Sequence, residues 1–580
     1  MKVINQKSKI VNRKSKIVNY FMALLLLSGC NYLDYTETSF GDYEETFSDY
    51  NRTMAVINAC YSQMEAGFSL PITDENAMLE SATDNSMYVW ENSIIRNFYN
   101  GSWSPKSTYD AQWSACYNGI RKANLFLENA RPEVLEEFKW TGNGYKTKLF
   151  RWSVAPNEAR FLRAFFHFEL AKRYGDIPLV TKVLTLDEAN KSTRNSFQEV
   201  IEWIAQECAE IAPNLPVTYR AQEVPDKDTG RATQGAALAL RARALLYLAS
   251  PLHNPASAPD YQQKWINAAK AAHDLIKLNI YPNFLPAWGS VFNNWRETNT
   301  ELIFERRQAN SRVFETANTS IGFALGRSGN CPTQNLVDAF EMKTTGKGIL
   351  EEGSGYNPDA PYTDRDPRLD MTVLYHKSTG KSGLATREMD MSFNGVDGKP
   401  KIGASPTGYY LKKYMVEGTV IAPPNETNTE HCWIFFRYAE VLLNFAEAMN
   451  EAYGPNSTNN GEYKFSAIDA ANYVRRRPGV EMPLILSDIT QNEFRDKIRN
   501  ERRVELAFEG HRAWDMRRWK QGDLTKSIRG MNIVKEGTVT TYTPATVQTR
   551  IWEDKMYFYP IPQVEIYNTK GSLVQNPGWQ

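Results

Sequence analysis

The residues best suited to binding chemistry lie in the stretch 81–103, which reads S-A-T-D-N-S-M-Y-V-W-E-N-S-I-I-R-N-F-Y-N-G-S-W. In an extended strand, side chains two residues apart point the same way, so Tyr88 and Trp90 would present two rings side by side. Such rings can stack on the apolar C–H faces of a sugar, while Asp84 and Asn92 could hydrogen-bond its hydroxyls. An extended peptide could use the same platform. Alternatively, the rings pack this segment into the protein interior.

Other aromatic residues are secondary candidates, because the chain has 14 Trp, 30 Tyr and 27 Phe. Phe314, near Arg312, is a candidate for the wall opposite Tyr88 and Trp90, and Trp288 and Trp295 are weaker candidates. We interpret Trp103 as a structural residue.

No catalytic residue, cofactor site or metal site can be assigned from the sequence. There is no Walker loop, dinucleotide fingerprint, G-x-S-x-G elbow or H-E-x-x-H motif, so a non-enzymatic protein is predicted. Two carboxylates could serve a surface glycosidase, but among 67 acidic residues no pair can be singled out. Lys plus Arg also number 67, and this neutral balance argues against nucleic acid as the main partner. Five scattered cysteines without C-x-x-C spacing predict buried free thiols on helices: Cys60, Cys116, Cys208, Cys331 and Cys432.

The N-terminus has the pattern of a targeting segment. A basic region precedes the apolar stretch 17–27, which is shorter than the roughly 20 residues of a membrane span and suits a secretion signal. Leu27-Ser28-Gly29-Cys30 resembles a bacterial lipobox, in which the cysteine is acylated after cleavage; an ordinary signal with a chance cysteine is the alternative. Residues 1–29 are therefore predicted to be a signal peptide and residues 30–48 a polar tether that is lipid-anchored at Cys30.

Helical periodicity dominates the rest of the chain, which predicts an all-α fold. Ala164-x3-Phe168 and Ala244-x3-Leu248 loosely fit the tetratricopeptide pattern, and helices recur in pairs, so we predict a tetratricopeptide-like helical-pair scaffold. Residues 281–429 lack this period and are predicted to be a long irregular insertion that carries binding groups. The predicted helices span residues 51–65, 157–174, 234–249, 261–278, 433–453 and 466–476.

The stretch 499–519 interleaves charged and apolar residues, reading R-N-E-R-R-V-E-L-A-F-E-G-H-R-A-W-D-M-R-R-W. Acidic and basic residues fall on neighbouring helical turns, and Gly510 separates two segments. We interpret it as a buried structural helix whose charges are paired.

Four strings give the chain a family resemblance. The run 501–519, the closing 558–566 and 575–579, the D-P-R-L of 366–369, and the order of residues in 81–103 resemble SusD/RagB-type outer-membrane nutrient-binding lipoproteins. Compared with the family's starch-binding founder, Tyr88 stands where a Trp is expected and one residue is missing before Asn92.

The resemblance implies a single SusD-like domain over residues 49–580 and a sugar site that includes Tyr88, Trp90 and Asn92. It also implies a lipid anchor, a position on the outside of the outer membrane, and a SusC-like TonB-dependent transporter as partner. The cargo would be an oligosaccharide, or alternatively a peptide, since both ligand classes occur in the family.

Overall fold

The computed structural model describes residues 43–70, 76–107, 109–110, 112–219, 229–281, 284–285, 287–293 and 299–579. The predicted signal peptide, Cys30, most of the predicted tether and Trp295 lie outside the described residues. Helices predominate, as the sequence predicts. They are α1 (Tyr43–Phe47), α2 (Tyr50–Tyr61), α3 (Gln112–Asn129), α4 (Asn143–Tyr174), α5 (Leu186–Asn190), α6 (Phe197–Ile211), α7 (Gln234–Ala249), α8 (Tyr261–Lys277), α9 (Ser290–Asn293), α10 (Val313–Asn318), α11 (Gln334–Ala339), α12 (Arg368–Thr372), α13 (Tyr438–Tyr453), α14 (Ala467–Arg475), α15 (Gln491–Glu505), α16 (Arg512–Arg518) and α17 (Gln563–Asn568).

The strands are short and pair two by two, antiparallel throughout the described residues. They are β1 (Ser86–Tyr88) with β3 (Asn330–Pro332), β2 (Leu302–Arg307) with β8 (Cys432–Arg437), β4 (Val373–Leu374) with β7 (Tyr410–Leu411), β5 (Thr379–Ser382) with β6 (Ala385–Glu388), and β9 (Ser527–Glu536) with β10 (Val539–Thr549).

The described residues form two compact units. The smaller contains the described residues up to Ala55 together with Asn129–Lys148, and the larger contains Val56–Glu128 and Leu149–Gln580. In the smaller unit the rings of Tyr50 and Phe138 meet edge to face at 5.6 Å. The division of the chain into signal peptide, tether and one domain stays a prediction.

Within the larger unit, helices pack side by side in chain order: α6 on α7, α7 on α8, α8 on α13, and α13 on both α14 and α15. Alanine makes these contacts close, since Ala236, Ala237, Ala244 and Ala249 of α7 are fully buried. Thr233 caps this helix by accepting a hydrogen bond from the backbone N–H of Ala236. The helical-pair scaffold predicted from the sequence is thus confirmed, and α7 matches its predicted bounds.

Three element boundaries were predicted wrongly. The helix predicted over 51–65 ends at Tyr61. Residues 433–437 belong to strand β8 rather than to the helix that follows, and all six β8 residues are buried. Its sequence C-W-I-F-F-R is rich in aromatic and β-branched side chains, which suits a strand covered on both faces. Helix α4 begins at Asn143, because Pro156 lies inside the helix and does not start it.

A buried network of ion pairs joins these elements. The Arg437 guanidinium of β8 lies 2.7 Å from Glu505 of α15, 2.8 Å from Glu301 and 2.6 Å from Glu509. Arg477, which follows α14, also reaches Glu301 at 2.8 Å. All five side chains are fully buried. The charged stretch 499–519 is therefore structural, as predicted.

The irregular region is attached to the same network. Arg368 of α12, in the D-P-R-L string, contacts Glu501 at 2.6 Å and Glu505 at 2.8 Å. Arg475 of α14 contacts Glu501 at 2.7 Å. Burial alone raises the pKa of the Glu505 carboxyl, but Arg437, Arg477 and Arg368 outweigh that effect and hold the pKa well below its usual range. Glu505 is therefore charged in the folded protein.

We predict that Arg437→Met lowers the free energy of unfolding by about 3–5 kcal/mol, because it leaves buried carboxylates without their cation. Urea titration followed by circular dichroism measures this. Lys191→Met is the control: its ion pair with Asp187 is exposed, so no measurable loss is expected. Equal stability of the two variants would contradict a structural role for the network.

Candidate functional site

The strand pair β1–β3 positions the predicted site. Tyr88 lies opposite Asn330 in the antiparallel register. Beyond the pair, the N–H of Val89 donates to the carbonyl of Gly329 at 2.9 Å, and the indole N–H of Trp90 donates to the carbonyl of Arg327 at 3.1 Å. These hydrogen bonds, which follow the strand pair, hold Trp90 against the loop 319–329.

Asp84 is a structural anchor and does not face a ligand. Its side chain is 2 % exposed, and its carboxylate lies 2.7 Å from Arg512 of α16 and 2.8 Å from Arg503 of α15. Burial alone raises the pKa of this carboxyl, but the two guanidinium groups more than offset it, and the pKa is lowered overall. The expectation that Asp84 hydrogen-bonds a sugar is therefore wrong.

Neighbouring residues strengthen this anchor. Arg550 donates to the carbonyls of Thr83 and Ser86 at 2.7 and 3.1 Å, and the N–H of Phe508 donates to the Glu80 carboxylate at 3.2 Å. The segment that carries Trp90 is therefore held from both sides by the C-terminal part of the chain.

Tyr88 and Phe314 also lie in the interior. Tyr88 is 2 % exposed, so it cannot form an open platform with Trp90. Phe314 is 6 % exposed, and its ring lies 4.8 Å from Phe68 and 5.5 Å from His431. Both expectations of ligand contact are wrong, since a strand pair and an aromatic cluster enclose these rings. Trp288 is likewise buried and donates to Glu505, while Trp103 packs against Phe98, Tyr559 and Trp579, as its structural interpretation predicts.

Trp90 and Asn92 remain at the surface. Trp90 is half-buried, with Arg327 on one side, its guanidinium carbon 5.7 Å from the ring centroid. Gly403 lies at the outer edge of the indole, where a Cβ atom would come within 3.1 Å of the ring. Asn92 is exposed. Of the four residues 84, 88, 90 and 92, the structure thus leaves only the last two accessible to a ligand.

Two open clefts are lined by residues adjacent to Trp90, although Trp90 itself is not part of either lining. The first, which we call the Arg327 cleft, has a volume of about 560 Å³ and is lined by Asn76, Asn310, Ser311, Arg312, Val313, Thr316, Ala317, Arg327 and Asn428. The second, the Asn92 cleft, has a volume of about 460 Å³ and is lined by Glu91, Asn92, Ser93, Ile94, Arg96, Asn97, Tyr99, Asn100, Gln548 and Thr549. Arg327, which contacts Trp90, lines the first cleft. Glu91 and Asn92, which follow Trp90 in the chain, line the second.

Backbone geometry fixes the loop beside Trp90. Leu325 and Ser328 have φ of +61° and +64°, a region that residues other than glycine rarely adopt. Gly326 allows the close approach, because a Cβ there would lie 2.1 Å from the Ser320 carbonyl oxygen. The side chain of Asn330 ties the loop base to two other segments, by hydrogen bonds with Asn318, Met78 and Ser81. The loop that presents Arg327 is thus held in a defined conformation.

The sequence analysis missed most of the Arg327 cleft. Its residues come from four separated parts of the chain and share no local pattern. The only sequence signal was Arg312, noted as a neighbour of Phe314; Val313, Thr316 and Ala317 of the same helix face the cleft while Phe314 faces inward.

We predict that Asp84→Asn destabilises the segment that carries Trp90, because two buried guanidinium groups lose their counter-charge. Hydrogen exchange followed by mass spectrometry should show faster exchange of the Val89 amide. The matched control is Asp187→Asn, an exposed ion-pair residue whose loss should leave residues 83–92 unchanged. Unchanged exchange in Asp84→Asn would refute the anchoring role.

The described parts of the chain hold no group of three or more His, Cys, Asp or Glu side chains arranged to hold a metal ion. The five cysteines after residue 30 are buried and free, as predicted, but Cys331 and Cys432 lie in strands β3 and β8 and not on helices. Among the described residues, no helix combines the length and apolar character needed to cross a membrane.

Comparisons with known proteins agree on one family. A family model described as "SusD family" matches residues 300–579, and one described as "Starch-binding associating with outer membrane" matches residues 31–248. SusD-like protein P2 of Formosa agariphila is 24 % identical, with 97 % of this chain and 99 % of that protein aligned. SusD-like protein P25 of the same organism is 24 % identical over 71 % of each chain.

Solved structures match over nearly the whole chain. A SusD-like protein from Bacteroides fragilis has a TM-score of 0.74 and 26 % identity, covering 93 % of this chain and 99 % of that one. A SusD-like carbohydrate-binding protein from the same species has a TM-score of 0.67 and 26 % identity, covering 90 % and 99 %. A laminarin-binding SusD-like protein shares the fold, with a TM-score of 0.59 at 21 % identity over 92 % and 100 % of the two chains.

Proposed function

The chain belongs to the SusD family, and we propose from this premise that it captures oligosaccharides at the outer surface of the outer membrane. In this proposal Cys30 carries the lipid anchor, and the cargo passes to a SusC-like TonB-dependent transporter. The matching family model "Starch-binding associating with outer membrane" supports the ligand class and the location, and a structural relative that is a SusD-like carbohydrate-binding protein supports the ligand class.

The observation that carries the proposal is the half-buried Trp90, whose indole is bonded to Arg327 in the lining of one cleft and whose chain neighbours Glu91 and Asn92 line another. A half-buried indole offers a flat apolar face for sugar C–H groups, while its own N–H is already bonded to Arg327. The side chains of Asn92 in one cleft and of Asn310 and Asn428 in the other supply amide groups that can hydrogen-bond hydroxyls.

The lining favours binding over hydrolysis. A glycosidase needs two carboxyl groups about 5–10 Å apart across the bond that is cut. The described lining of the Arg327 cleft contains no Asp or Glu, and the described lining of the Asn92 cleft contains a single carboxylate, Glu91. Turnover of a labelled glycan by the pure protein would refute a purely binding function.

We predict that Trp90→Ala weakens oligosaccharide binding by about 1–3 kcal/mol, the range measured when an aromatic ring that stacks on a base is removed. Isothermal titration against a panel of glycans and peptides measures this. Trp140→Ala is the control, since Trp140 is 94 % exposed and lies in the smaller unit. Thermal unfolding of both variants checks that the fold is retained.

Two outcomes would contradict this prediction. Tight binding of peptides with no binding of any glycan would show that the ligand is a peptide and not an oligosaccharide. Unchanged glycan affinity in Trp90→Ala would show that Trp90 is not part of the binding site.

We predict that Cys30→Ser releases the protein from the membrane, because stable anchoring requires acyl chains on that cysteine. Cell fractionation and labelling with an alkyne-bearing fatty acid measure it. A mild detergent extract of the wild-type protein, purified through a tag, should also contain a TonB-dependent barrel. A Cys30→Ser protein that stays in the membrane fraction would oppose the lipid anchor, and an extract without a barrel would oppose the transporter partner.

A further inference from the structure

The described lining of the Arg327 cleft carries an excess of positive charge. It contains two arginines, Arg312 and Arg327, and no acidic residue. The remaining lining residues are neutral: three asparagines, a serine, a threonine, a valine and an alanine. The chain as a whole is electrically balanced, with 67 basic and 67 acidic residues, so this local excess is a property of the cleft.

Arg327 has no carboxylate partner within the described residues. Its guanidinium carbon lies 5.7 Å from the centroid of the Trp90 ring. Many other arginines are paired, and Arg387 on the nearby β6 contacts Asp397 at 2.6 Å. The Arg327 side chain is exposed while its backbone is fixed by the Trp90 hydrogen bond. The guanidinium is therefore open to solvent in the lining of the cleft, with no carboxylate partner in the described part of the chain.

Arg312 is only weakly engaged. Its nearest carboxylate, Glu426, is 3.7 Å away, and its hydrogen bond to the Asn428 side chain is long, at 3.3 Å. The Arg312 and Glu426 side chains are 39 % and 27 % exposed, so water screens their interaction. A second anion entering the cleft can compete for this guanidinium.

Backbone hydrogen bonds join the segment that carries Arg312 to the segment that carries Asn428. Ser311 and Thr429 exchange two backbone hydrogen bonds of 2.9 and 3.1 Å, which fixes the segment of Arg312 beside that of Asn428. Guanidinium groups present parallel N–H donors that match a carboxylate or a sulfate, and amide side chains match hydroxyls.

We propose that the Arg327 cleft binds the anionic substituent of an acidic saccharide, a uronate carboxylate or a sulfate ester, while Trp90 contacts the sugar ring. This inference rests on the proposed glycan-binding function and narrows it to charged glycans. Carboxylate and sulfate share the chemistry that the cleft recognises, so both are tested.

The test is calorimetric titration of the full chain, extracted in detergent. The probes are oligogalacturonides, sulfated carrageenan oligosaccharides, and neutral malto- and laminari-oligosaccharides. We expect an acidic probe to bind, with affinity that falls several-fold as NaCl rises from about 50 to about 500 mM. Arg327→Gln and Arg312→Gln should each weaken that binding by about tenfold, because a charge-assisted hydrogen bond is lost.

Arg476→Gln is the matched control, and it should leave affinity unchanged. Arg476 is also exposed beside an aromatic ring, 5.1 Å from the centroid of Tyr473, but lies outside both clefts. Two results would overturn the inference of a charged cargo and leave the proposed function intact. One is tighter binding of neutral than of acidic oligosaccharides, and the other is an affinity of Arg327→Gln for the acidic probe equal to that of the wild-type protein. Failure of every glycan to bind would overturn both.

Discussion

Charge removed from water must be compensated, and this constraint organises the larger unit of the protein. Glu505 of α15 is fully buried and is surrounded by three guanidinium groups, those of Arg368, Arg437 and Arg477. Arg368 is the first residue of α12, Arg437 lies in strand β8, and Arg477 follows α14, so the three come from separate parts of the chain. Since a misplaced partner would leave a buried charge alone, the network penalises wrong arrangements of those elements.

The same principle reaches the surface through Asp84. Its pairing with Arg503 and Arg512 attaches the segment 80–92 to α15 and α16. The segment then pairs with β3, and its side chains become accessible from Trp90, which is half-buried, to Asn92, which is exposed. Asp84, which the sequence suggested as a ligand contact, thus supports Trp90, which is accessible to a ligand.

Helices α7 and α8 were predictable because their periodicity is local, and both matched within a residue. The start of α4 was not, because Pro156 looks like a helix start and lies inside the helix. Strand β8 was not, because its apolar run fits a buried strand or a buried helix, and only the distant strand β2 decides between them. The charged stretch 499–519 was correctly interpreted as structural, since its acid–base spacing is also local. The four motif strings pointed to the correct family, which the comparisons bear out over nearly the whole chain.

The candidate site was less predictable. Sequence alone placed Trp90 and Asn92 beside Tyr88 and Asp84, but exposure depends on what covers each side chain, and the covering residues lie 240 to 430 positions away. The Arg327 cleft gathers side chains from residues 76, 310–317, 327 and 428, which no local pattern connects.

The reciprocal bonding of Ser311 and Thr429 has a consequence for the shape of the Arg327 cleft. Because each backbone both donates to and accepts from the other, neither segment can shift at this point without breaking two hydrogen bonds. The spacing between the segment of Arg312 and that of Asn428 is therefore set by the backbone there and does not depend on an occupant.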